Sequence, residues 1–315
     1  MKHTIKITII LLAMFIVTQL IGLYVVNYYL QETSHIPYGF DTSPPELEKD
    51  SNFYLQFLIS TIISFIIAIV IVFFLMRIKS IWFMRAWFFV VIALAIGITL
   101  NILTTKLGLI YPSLFALLLG IVLTYLKVFK KNIITHNLTE LLIYPGIAAI
   151  FVSMLNLWTT IAFLIIISIY DIWAVWHSGI MQKMAKFQIN SLGIFGGFFI
   201  PYASKKIKEK IQLLKLKYKE NQIPQSAIKK NKIKVSLAIL GGGDVIFPII
   251  SAGVFFKTFH SLIGSLIVIL FATLALLYLF VFAKKKKFYP AMPYLTAGIF
   301  LGMLVGWLAI RFLGL

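Results

Sequence analysis

The sequence predicts an all-α polytopic membrane protein with nine transmembrane helices, its N-terminus cytoplasmic and its C-terminus outside. Three observations carry that prediction. Hydrophobic residues make up 61% of the 315-residue chain. Apolar runs repeatedly reach the roughly 20 residues that cross a ~30 Å hydrocarbon core. They fall at 7–30, 52–76, 83–104, 107–126, 137–154, 156–178, 234–256, 261–283 and 289–312. Finally, of the 29 Lys and Arg, only Lys49, Lys106, Lys257 and Arg311 lie on the side opposite the N-terminus. Basic residues stay cytoplasmic, which sets the orientation and checks the span count, because one missed helix would scramble the asymmetry.

The first run is too long for the apolar region of a signal peptide and lacks a small-residue cleavage site, so it reads as a span. Residues 31–50 form an acidic outside loop with Pro37, Pro44 and Pro45, which reads as a solvated connector or, alternatively, an entry-side lid. Leu-Ile-Tyr-Pro occurs at 109–112 and again at 142–145. Both prolines are expected early in a span, where the first turn's N–H groups lack helical partners anyway. The fifth and sixth spans are joined near Leu155–Leu157 by almost nothing. The chain thus divides into a six-helix part (1–178), a cytoplasmic or interfacial segment (179–233) and a three-helix part (234–315). Within the segment, 179–204 reads as an amphipathic extension of span six and 205–220 as a basic helix on anionic headgroups. Residues 221–232 read as a polar linker.

Composition also excludes chemistries. There is no cysteine, so disulfides, thiolate nucleophiles and Cys-ligated metal centres are out. The five histidines form no H-E-x-x-H motif. The net charge of +19 is topology and contact with membrane lipids, not a nucleic-acid footprint.

Of the ten carboxylates, only Asp171 and Asp244 lie deep within predicted spans. Glu140 is expected to snorkel at the inner end of span five, near His136. An ionisable group at the bilayer centre costs about 2.5–3.5 kcal/mol on insertion scales, so it usually has a function or a partner. Neither acid has a buried base in the sequence placed to neutralise it. Counting from the span ends, they sit roughly 10 and 15 Å from the cytoplasmic boundary, on antiparallel helices. They can therefore meet.

Each acid has a distinctive setting: Tyr170-Asp171 in span six, and Gly241-Gly242-Gly243-Asp244 in span seven, with Pro248 one turn later. The glycines admit another backbone and, with the proline, loosen the helix beside the acid. Span nine opens on Pro290-Ala291-Met292-Pro293, from the same side. This ordered set, over the whole nine-span layout, resembles the presenilin and signal-peptide-peptidase family of intramembrane aspartyl proteases. Where that family usually reads Pro-Ala-Leu, this chain has Met292, a swap that keeps volume and polarity.

The resemblance implies that Asp171 and Asp244 are the catalytic pair, with Tyr170, Gly241 and Gly243 as motif residues. It implies that Pro290, Ala291 and Met292 support an unwound substrate. It further implies single-span substrates with N-termini outside, and an active site toward the cytoplasmic half of the cell membrane. No metal, cofactor or obligatory partner subunit is expected. The rival readings are a proton- or ion-coupled transporter, a prepilin-type peptidase and a noncatalytic scaffold. The first predicts paired interrupted helices in two halves, which are not seen. The second favours a lysine soon after the motif, where this chain has Val245-Ile246-Phe247.

Overall fold

A computed structural model of the protein describes residues 5–31, 35–40, 51–78, 80–130, 132–179, 184, 187–188, 193–202, 236–283 and 289–313. Its helices are α1 (Ile5–Tyr29), α2 (Ser51–Arg77), α3 (Ile81–Lys106), α4 (Pro112–Phe129), α5 (Ile133–Met154) and α6 (Leu157–Trp176). After two strands, β1 (Gly197–Tyr202) and β2 (Ser236–Gly241), follow α7 (Gly242–Phe259), α8 (Leu262–Phe282) and α9 (Met292–Leu313). Among the described residues, these nine helices are each long and apolar enough to cross a membrane. The basic helix and linker expected at 205–232 lie outside the described residues, as does most of the 31–50 loop.

Helix α1 is central, packing on α5, α7 and α8 through residues such as Leu11 and Phe15, both fully buried. Helix α2 is peripheral, with 59–75 exposed or half-buried along its length. Apolar side chains at the surface, such as Trp82, Ile110 and Trp158, are where lipid tails belong. Without a hydrophobic drive between helices in lipid, close approach through small residues supplies the packing. Gly146 of α5 shows it. A Cβ there would stand 2.0 Å from the Ala95 carbonyl oxygen of α3, so α3 and α5 touch backbone to backbone.

The tight fifth-to-sixth junction holds. Helix α5 ends at Met154 and α6 starts at Leu157, with Asn156 closing a capping box with Thr159 (Thr159 N–H to Asn156 Oδ1, 2.8 Å). The two Leu-Ile-Tyr-Pro copies part company. Pro112 opens α4 as expected, but Pro145 lies inside α5. A mid-helix proline disrupts the local ladder, and polar side chains on neighbouring helices can compensate. Pro145 leaves the Leu141 carbonyl without its helical donor, and one position on Thr99 Oγ1 of α3 donates to the Leu142 carbonyl at 2.7 Å.

Two further expectations are corrected. Residues 197–202 are not an amphipathic helix but a strand. β1 pairs antiparallel with β2, from Gly197 opposite Gly241 to Tyr202 opposite Ser236. Phe198, Phe199, Ile200 and Tyr202 favour extended backbone, and Asn137 of α5 pins β1 by bonding both the N–H and the carbonyl of Phe199 (3.2 and 3.0 Å). Span seven consequently starts as a helix only at Gly242, not near 234. Glu140 does not snorkel: it is 1% exposed and ion-paired with Lys127 of α4, itself buried. Among the described residues Glu140 therefore joins Asp171 as a buried carboxylate, and it comes with a buried base, Lys127, just past the apolar run of span four.

Candidate active site

The strand-to-helix switch at Gly241–Gly242 determines where Asp244 sits. Gly241 is still extended (φ −66°, ψ 148°) and serves as the N-cap of α7. Asp244 is the third residue of the helix, in a first turn whose N–H groups have no helical acceptor. A carboxylate suits that end of the helix dipole. The side chain folds back over the cap: a Cβ at Gly241 would be 3.2 Å from Asp244 Oδ2. At Gly242 a Cβ would meet the Tyr144 hydroxyl at 2.9 Å. Gly243 is exposed, with only the Phe247 ring nearby. The glycines thus make room at a switch in backbone type, and do not loosen a continuous helix as the sequence suggested.

Pro248 leaves the Asp244 carbonyl without its helical donor. One position on, Gln19 of α1 donates through Nε2 to the Val245 carbonyl at 2.8 Å. Gln19 is fully buried, and its Oε1 has no hydrogen-bond partner. Sequence reasoning passed over this residue. A glutamine inside an apolar span is the kind of polar group that bonds across helices, and that was the available signal.

Asp171 lies on the face of α6 that meets α9. It is 3% exposed, and its Oδ2 accepts the Met292 N–H at 3.0 Å, with the Ala291 amide beside it. One turn earlier Ser168 and Thr296 share a hydroxyl hydrogen bond of 2.8 Å, so α6 and α9 are tied at two successive levels. Met292 is the first residue of α9, and its N–H is one of the orphan donors of a helix start. Asp171 thus caps α9 in trans. Its other oxygen, Oδ1, is buried without a hydrogen-bond partner.

The Pro290–Met292 segment is thereby brought to Asp171. Pro290 and Met292 are buried and Ala291 half-buried, with the Ala291 carbonyl accepting from Leu295 N at 3.1 Å. Tyr170 is directed elsewhere. Its ring packs edge-on against Phe65 of α2 at 5.8 Å, as expected for adjacent helical residues that do not share a face. Helix α6 also packs against α7, where the Phe163 and Phe247 rings meet at 5.8 Å. Both aspartates therefore lie at helix N-termini, one in its own helix and one across a helix contact.

A model of the signal-peptide peptidase and presenilin aspartyl protease family matches residues 12–312. The chain belongs to that family. It is an intramembrane aspartyl protease, a multi-pass membrane protein with the presenilin-type fold. Two solved structures of a presenilin family intramembrane aspartate protease are similar to it, each at 18% identity. One, in space group C222, has a TM-score of 0.58 and aligns over 96% of this chain and 98% of its own. The other, in space group P2, has a TM-score of 0.54 and aligns over 95% and 96%. No curated protein matches. Membership of a protease family leaves the ion-coupled transporter without support.

Proposed function

We propose that Asp171 and Asp244 are the catalytic pair, cutting peptide bonds inside single-span transmembrane substrates whose N-termini lie outside. The site would open toward the cytoplasmic half of the cell membrane, and the chain would act without an obligatory partner subunit. The observation that carries the assignment is the setting of Asp171. One oxygen is fixed by the first N–H of α9 while the other is buried and unpartnered. A carboxyl held that way is oriented by the protein yet keeps a free oxygen for water or a shared proton.

Two carboxyls in one low-dielectric site do not both ionise, so the pair holds one proton. The ionised member takes a proton from water as the water oxygen attacks the scissile carbonyl carbon. The protonated member gives its proton to the carbonyl oxygen, and a gem-diol forms. The newly protonated member then gives its proton to the nitrogen while the other takes one from a gem-diol hydroxyl. The C–N bond breaks as the carbonyl re-forms. This releases an amine and a carboxylic acid, and returns the pair to its starting state. The proton belongs to the pair, not to one named residue.

In this reading Pro290, Ala291 and Met292 flank the substrate, and Gly241 and Gly243 keep side chains out of its path. Because the Met292 N–H is engaged by Asp171, the segment contacts substrate through its remaining groups. Tyr170 acts by packing α2 onto α6. Cleavage of a model single-span peptide in liposomes tests the mechanism. A bell-shaped pH–rate profile is expected, and activity independent of pH between about 4 and 8 would contradict a shared proton.

A further inference from the structure

One face of α5 carries His136, Glu140 and Tyr144 at intervals of four, all buried. Lys127 of α4 closes an ion pair with Glu140, and His136 Nε2 stands 3.5 Å from the same carboxylate oxygen. His136 Nε2 also lies 2.9 Å from the Gly197 carbonyl oxygen of β1. A cavity of about 250 Å³, lined by Lys127, His136, Phe199 and Ile239 among others, reaches this end of the row. Tyr144 stands at the other end.

Its ring packs edge-on against Phe198 at 5.8 Å, and its hydroxyl lies against Gly242. The hydroxyl's first neighbour is the Glu140 carboxylate, in a geometry too poor for a proper hydrogen bond, and it faces the Asp244 carboxylate as well; it is otherwise buried without a partner. Such a group is costly to leave unpaired, and a phenylalanine would fill the same space without that cost. Glu140 already has the Lys127 ammonium and does not need the hydroxyl's single proton, which can serve the other carboxylate it faces.

We propose that Tyr144 is a positioning residue for Asp244: in the working enzyme its hydroxyl donates to the Asp244 carboxylate and holds it over the glycine turn. This rests on the reading of Asp244 as catalytic. The ionisable groups on the α5 side of that contact are Tyr144, Glu140 and His136, with Lys127 of α4 paired to Glu140.

The test is Tyr144→Phe in the purified full-length protein, assayed on a model single-span peptide in liposomes. The variant is expected to melt as wild type, lose about tenfold in kcat with KM within about twofold, and shift the acidic limb of its pH–rate profile upward. Gly242→Ala supplies an independent arm that keeps the tyrosine. Its methyl group pushes the hydroxyl aside, so it should mimic Tyr144→Phe alone and add little in the Tyr144→Phe background. Wild-type kcat and an unmoved pH profile in Tyr144→Phe would overturn the proposal, as would fully additive losses in the double variant. Asp244→Asn is run alongside. If it still cleaves, the catalytic assignment itself fails; if it is inactive while Tyr144→Phe is normal, only the role of Tyr144 fails.

Discussion

Asp171→Asn and Asp244→Asn should each reduce cleavage of a transmembrane peptide by more than about a hundredfold while leaving the protein folded. The asparagine side chain has nearly the shape of aspartate but neither takes nor gives a proton at working pH. At position 171 the separation of chemistry from folding is especially clean. The amide carbonyl can still accept the Met292 N–H, so the α6–α9 contact survives along with the Ser168–Thr296 bond one turn away. At position 244 an amide oxygen still suits the first turn of α7. Thermal melting in detergent, read next to the cleavage assay, distinguishes the two effects. Wild-type turnover in either variant would remove that residue from the chemistry.

The second large effect is on stability, at the Lys127–Glu140 pair. Both groups are almost wholly buried, so deleting one charge strands the other away from water. Lys127→Met alone should destabilise the protein by about 3–5 kcal/mol, because removing one partner of a buried ion pair leaves an uncompensated charge. The double variant Lys127→Met/Glu140→Leu should recover most of that loss, since apolar replacement of a whole buried pair is often neutral. Unfolding of the two single variants and the double variant in detergent measures this coupling directly. Losses that simply add would mean that the two charges do not depend on each other.

The membrane architecture was legible because bilayer thickness imposes span length on the sequence itself. The two aspartates were legible because a carboxylate in an apolar run needs a reason to be there. What stayed hidden was set by partners distant along the chain. β1 finds β2 across residues 203–235, and nothing local in Gly197–Tyr202 announces that pairing. Without the strand, Asp244 looked as though it lay well inside a helix, whereas it occupies a first turn. Glu140 read as an interfacial acid because Lys127 comes from another helix. Pro145 looked like a helix start because the polar residues at the beginning of α5 disguised its first three turns. The capping of α9 by Asp171 combines two familiar local facts, an orphan helix N–H and a buried acid, that only the packing of α6 on α9 brings together.

Affinity for a peptide carrying a secondary hydroxyl in place of the scissile carbonyl probes the shared site most directly. That hydroxyl imitates the gem-diol, and mimics of a transition state bind far more tightly than substrates. Wild-type protein in detergent should bind it tightly, and Asp171→Asn and Asp244→Asn should each lose at least about a hundredfold in affinity. Undiminished binding by either variant would show that the two acids do not grip the same reacting atoms.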